Sequence, residues 1–165
     1  MGRKFSFSIP GSPRGKARPR FTKSGRAYTP AETVEAERTI ATIWKLKYPR
    51  EKPLTGPVLL RFTAVFAIPK SFNAIQRQAA MDGKLYATCK PDFDNLAKLL
   101  CDSLNGIAFA DDAQVMGGGM KRYGEPVRVD VTIEELHAQV ETPSDIRRRH
   151  KAQQPELVMG RSVRK

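Results

Sequence analysis

Residues 90–115 read KPDFDNLAKLLCDSLNGIAFADDAQV, and the fold is decided by how this stretch divides. Pro91-Asp92 carries the signals of a helix start. Stepping from Asp94 to Asn105 at 100° per residue then separates two faces. Leu96, Leu99, Leu100 and Leu104 fall on one side, and Asp94, Asn95, Lys98, Asp102 and Asn105 on the other. Asn105-Gly106 supplies a C-terminal stop, with Gly106 as the capping signal. Ile107-Ala108-Phe109 then runs as an apolar turn or strand into Asp111-Asp112. In extended chain, adjacent side chains point opposite ways, so one of these two aspartates is expected to face the helix carboxylates.

Outward from this helix the pattern changes to period two. Gly56 to Pro69 reads as a long strand with Val58, Leu60, Phe62, Ala64, Phe66 and Ile68 on one face. Its other face is also largely apolar, which predicts a central strand. Lys4 to Pro10 alternates Phe5, Phe7 and Ile9 against serines, and Val127 to Glu134 alternates four apolar with four polar residues. Both read as half-buried strands. The stretch 116–123 stands where a strand belongs, but Gly117-Gly118-Gly119 suggests a bulge or a close backbone approach. With Gly124-Glu125-Pro126 as a turn, it is expected to form a hairpin with the last strand.

Two further helices are expected. One opens at Thr29 as N-cap with Pro30 in its first turn, and runs to about Tyr48 with Ala36, Ile40, Ile43 and Trp44 on its inner stripe. The other covers Ser71 to Met81. Arg14 to Phe21, rich in prolines and basic residues, reads as a loop. The expected fold class is α+β, one domain with a mixed or antiparallel sheet packed by about three helices. Residues 1–136 form that domain, and 137–165 form a basic tail of weak order.

The charge is unevenly placed. The chain has 165 residues and a formal net charge of +12. Residues 1–26 contain eight Lys/Arg and no acid, and residues 137–165 contain seven Lys/Arg against three acids. The intervening body holds fourteen of each and is neutral. A neutral body with basic ends suits contact with a polyanion, because neutralised phosphates release counterions. Two cysteines, Cys89 and Cys101, support neither a disulfide framework nor a zinc ribbon. Absence of a long apolar run or a signal-peptide block predicts a soluble, cytoplasmic protein with no membrane contact.

Within that neutral body the acidic stretch is the anomaly. Taken singly, Asp92 suits a helix N-cap and Asp94–Lys98 suits an i,i+4 pair worth only about 0.3 kcal/mol. An EF-hand loop beginning at Asp92 fails, since its sixth and twelfth positions are Ala97 and Ser103. Two readings remain: a structural ion-pair cluster, or carboxylates gathered around a hard divalent cation such as Mg²⁺ or Mn²⁺.

The strings KPDFDNLAK, DSLNG and DDAQV resemble the RusA-type Holliday-junction resolvases, including many phage-encoded members. GSPRGKARPRF, YTP and the basic Lys121-Arg122-Tyr123-Gly124 are similar to that family as well, and the resemblance spans roughly residues 4–135. It implies a homodimeric, Mg²⁺- or Mn²⁺-dependent endonuclease that nicks four-way DNA junctions in paired strands during recombination and repair. Carried over by position, Asp92, Asp94 and Asp112 match the metal-binding carboxylates and Lys98 the essential lysine. Asp111 and Asp102 also match acidic positions. Lys16, Arg18, Arg20, Lys90, Lys121 and Arg122 are the candidate DNA contacts. The triple glycine and the basic tail depart from the family pattern. Rival readings are a flap or fork nuclease and a non-catalytic junction-binding protein.

Overall fold

The computed structural model describes residues 2–137 and Arg147; the tail expected over 137–165 lies almost wholly outside the described residues. Strand β4 (Val58–Phe66) is the centre of the molecule, as an apolar pattern on both faces requires. It pairs in parallel with β5 (Val115–Tyr123) and antiparallel with β6 (Arg128–Glu135), while β1 (Lys4–Pro10) adds antiparallel to the far side of β6. The sheet order is therefore β1-β6-β4-β5. Two residues each of β2 (Arg20–Phe21) and β3 (Ala27–Tyr28) make a separate small hairpin. The helices are α1 (Ala31–Lys47), α2 (Ala74–Met81) and α3 (Phe93–Leu104), followed by a 3-10 turn at Asp112–Gln114. A mixed sheet with three helices is an α+β domain, as expected.

Three local expectations are corrected. Strands β5 and β6 do not pair with each other, because β4 lies between them. The chain leaves β5, crosses the end of β4 where the Gly124 N–H donates to the Phe66 carbonyl at 3.0 Å, and returns as β6. Alternation reveals β6, and β5 is expected only from its place in the chain, but β4, apolar on both sides, takes both as neighbours. Second, part of the expected basic loop is the β2–β3 hairpin. Third, helix α1 begins one residue later than expected: Pro30 is its N-cap in extended conformation and no side chain caps it.

A parallel β4–β5 pair needs a long crossover, and residues 67–114 supply it. That crossover carries α2 and α3. Leu96, Leu99, Leu100 and Leu104 of α3 are buried against one sheet face with Val58, Leu60, Phe62, Ala64, Val129, Val131 and Ile133. Each such side chain contributes about 1.5–3 kcal/mol by leaving water. Helix α1 adds Ile40 and Trp44 to the same core, Trp44 meeting Phe5 and Phe7 edge-on at 5.3 and 5.8 Å. The return from α3 is fixed by Leu54, whose N–H donates to the Ala108 carbonyl at 3.0 Å and whose carbonyl accepts from the Ala110 N–H at 2.9 Å. Phe109 is fully buried there.

The triple glycine does not break β5: its register with β4 is continuous from Val115 to Tyr123, with no bulge. Two of the three glycines are required. Gly117 has φ +149°, and a Cβ there would lie 1.8 Å from the Leu60 carbonyl oxygen. At Gly119 a Cβ would lie 2.7 Å from the Phe62 ring, whereas Gly118 faces open space. The close approach read from the sequence is thus real.

Candidate active site

Helix α3 presents the acidic face as a spent and an unspent half. At its N-terminus Asp92 has the extended backbone of an N-cap, yet its side chain makes no capping bond. Asp94 and Lys98 are exposed, and no ion pair among the described residues involves Asp92, Asp94, Lys98 or Asp112. The helix-stabilising pair Asp94–Lys98 is not made. Eight residues on, about 12 Å along the axis, Asp102 is instead engaged with the ammonium of Lys16.

The Asp-Phe-Asp turn is oriented by what lies beneath it. Phe93, between the two aspartates, stacks on Phe62 with ring centroids 5.3 Å apart and planes 24° apart. Phe62 in turn occupies the space that a side chain at position 119 would need. Gly119, Phe62 and Phe93 form a column from the sheet to the first turn of α3, fixing the backbone from which Asp92 and Asp94 project. Neither Phe93 nor Gly119 stood out in the sequence as part of the site, although a glycine where a strand residue belongs was the available signal.

Asp111 and Asp112 differ in role. Asp111 caps the 3-10 turn: its carboxylate accepts from the Ala113 N–H at 2.8 Å, and Gln114 Oε1 accepts from the Asp111 N–H at 2.8 Å. Because Asp112 begins that turn, the pair is not the extended dipeptide expected from sequence. Asp112 remains exposed. Burial pushes the Cys101 thiol up, and the carboxylates of Asp112 and Asp102 push it further.

Among the described residues no group of three or more His, Cys, Asp or Glu side chains stands close enough to hold a metal ion. Asp92 and Asp94 stand at the start of α3 and Asp112 opens the turn that follows it, without closing into a single cluster. As donors, however, Asp92, Asp94 and Asp112 are exposed carboxylates without ion-pair partners, the oxygen ligands that Mg²⁺ and Mn²⁺ prefer.

The basic candidates also separate. Arg18, Arg20 and Lys90 are exposed and available to a phosphate backbone. Lys16 is not: its ammonium pairs with Asp102 and lies 3.1 Å from Glu37 Oε1. That oxygen is buried and its contact with Lys16 is an ion pair without hydrogen-bond geometry. Burial works against the Lys16 charge, but Asp102 and Glu37 outweigh it and the pKa is raised. Its backbone is tied down too, the N–H donating to the Asn95 carbonyl at 2.9 Å. Gly15 beside it lies so close to α3 that a Cβ would be 2.7 Å from Pro91 Cβ and 3.0 Å from Asn95 Cβ. Lys16 is a pin between the basic arm, α1 and α3. Nothing in the sequence distinguished it from its arginine neighbours.

Lys121 and Arg122 are half-buried. The Lys121 ammonium donates to the Cys89 carbonyl and sits 5.5 Å from the Phe66 ring centroid, and Arg122 packs over Gly83 and Gly124. Both hold residues 83–89 against β5. No helix among the described residues is long and apolar enough to cross a membrane.

The chain is similar to known proteins over most of its length. The uncharacterized protein YqaN of Bacillus subtilis (strain 168) is 32% identical over 138 residues, covering 80% of this chain and 96% of YqaN. The family model for endodeoxyribonuclease RusA matches residues 10–134, from the end of β1 through β6 and so across α3 and the Asp111-Asp112 turn. The chain belongs to the RusA endodeoxyribonuclease family.

Proposed function

We propose that this endodeoxyribonuclease is a Mg²⁺- or Mn²⁺-dependent resolvase that nicks four-way DNA junctions in paired strands. The observation that carries the reading is α3 itself: within the family match, Asp92, Asp94 and Lys98 lie unpaired on its exposed face, and Asp112 follows on the adjoining turn. Asp92, Asp94 and Asp112 are the groups that would hold the divalent ion. When bound, such an ion polarises the scissile phosphate and lowers the pKa of a water molecule.

The protein's own groups do the rest. Lys98, one helical turn beyond Asp94 on the same face, places a positive charge where negative charge develops on the phosphate. Arg18, Arg20 and Lys90 contact backbone phosphates, which position the duplex arms and carry no base information. The chain acts as a homodimer, because a four-way junction has near-twofold symmetry and a twofold pair offers one acidic site to each of two opposed strands.

The test compares three labelled substrates, a four-way junction, a flap and a linear duplex, in Mg²⁺ and in EDTA. Symmetric nicks in the junction, only with metal and in preference to the flap, are expected. Flap cleavage at equal or greater rate replaces the junction reading with a broader branched-DNA nuclease. Junction binding without nicks in either condition makes the protein a non-catalytic binder.

A further inference from the structure

Residues 17–29 are exposed without exception, although they include an ordered hairpin. The hairpin is held by its own backbone. Arg20 pairs with Tyr28 and Phe21 with Ala27; the Thr22 N–H donates to the Arg26 carbonyl at 2.9 Å and the Gly25 N–H to the Thr22 carbonyl at 2.9 Å. Gly25, at φ +79°, closes the turn where an L side chain would be strained. The Arg26 N–H adds a bond to Thr22 Oγ1 at 3.1 Å. This is a shaped projection that no core residue covers.

Its charged residues are all of one sign. Arg18, Arg20, Lys23 and Arg26 are basic, and no acid occurs between Met1 and Arg26. Among them stand two aromatics, Phe21, 71% exposed, and Tyr28, 45% exposed, and Phe21 is the more open of the two. Cross-strand pairing puts Phe21 opposite Ala27, whose methyl group leaves the ring uncovered on that side. Exposed apolar side chains taken singly are ordinary. An aromatic ring embedded in a basic projection is the combination used to hold unpaired nucleic acid, the cations following the backbone and the ring stacking on a base.

The root of the hairpin says where it works. Lys16 and Gly15 lock the preceding segment onto α3 at Pro91, Asn95 and Asp102, beside the aspartates of the first turn. Phe21 follows Lys16 by five positions, so its Cα stands no more than about 18 Å from that lock. We propose that the 20–28 hairpin is a branch-reading finger in which Phe21 stacks on a base unstacked at the DNA branch point. Continuous duplex hides its base faces; a branch point exposes them. The inference rests on the junction-nuclease reading and adds to it the residue that separates branched from linear DNA.

The test measures affinity of the full chain for a four-way junction and for a linear duplex of the same arm sequence, in EDTA, with wild type, Phe21→Ala and Phe21→Trp. The expected result is that Phe21→Ala weakens junction binding about tenfold, the effect of losing one base–aromatic stack, with a smaller loss on duplex. Phe21→Trp retains junction affinity. Equal binding of the junction by Phe21→Ala and wild type overturns the finger, as does an equal loss on junction and duplex. A Phe21→Ala protein that changes oligomeric state instead assigns the ring to a second copy of the chain. Wild type that fails to bind the junction at all overturns the functional reading, and this inference with it; wild type that binds while Phe21→Ala binds equally overturns this inference alone.

Discussion

The acidic helix and the basic arm are built in opposite ways. Helix α3 buries four leucines and stands on a column of Gly119, Phe62 and Phe93, so its carboxylates project from a fixed backbone. The arm from Ala17 to Thr29 buries nothing and keeps its shape through a few hydrogen bonds. Under the proposed function the contrast follows from what each would meet. Groups that act on one phosphate need sub-ångström placement, which packing supplies. Groups that follow a nucleic-acid backbone gain from reach and charge. Lys16 joins the two, and its pairing with Asp102 removes one carboxylate from the acidic face while docking the arm.

Substitutions in the packed half should therefore cost stability, and those in the arm should cost binding. The largest effect is expected from Gly117→Ala, which meets the Leu60 carbonyl at an unfavourable φ. Loss of about 3 kcal/mol or more is expected in denaturant unfolding. Its neighbour Gly118→Ala faces open space and should stay within about 0.5 kcal/mol of wild type. A tolerant Gly117 would break the packed-half side of the comparison.

Lys16→Met comes next, at the boundary. It leaves Asp102 and the buried Glu37 oxygen without their cation, an expected cost of about 1–2 kcal/mol. Freed from α3, the arm should raise KM for the junction more than it lowers kcat, and Lys16→Arg should restore much of the loss. Equal stability with lost binding would return Lys16 to the role of a direct DNA contact.

The smallest effect belongs to the sheet edge. The hydrogen bond from Arg3 holds the Glu135 carboxyl below its ordinary value of 4.5. A depressed carboxylate pKa contributes stability that is present above the unfolded value and lost as pH falls through the folded one. Glu135→Gln should therefore flatten the change in urea midpoint between about pH 6 and pH 3, by a small amount because the pair is exposed.

Much of this was legible in the sequence because it is periodic. Helix α3, β1, β4 and β6 announce themselves by which residues are apolar, and the acidic polar face of α3 follows from the same count. What was not legible depends on partners distant in the chain. Alternation in β6 says that it is a strand, and the place of residues 116–123 suggests another, but neither says that β4 separates them. Lys16 looks like Arg18 and Arg20 until Asp102, 86 residues away, is placed beside it. Asp111 and Asp112 are chemically alike, and only the reciprocal cap with Gln114 shows which is already engaged.

The most direct measurement is cleavage and binding of a labelled four-way junction by Asp92→Asn beside wild type, each in Mg²⁺ and in EDTA. The account predicts paired nicks from wild type with metal only, and a mutant that binds the junction with near-wild-type affinity but leaves it uncut. A mutant that cuts as fast as wild type would contradict the role given to the exposed carboxylates of α3.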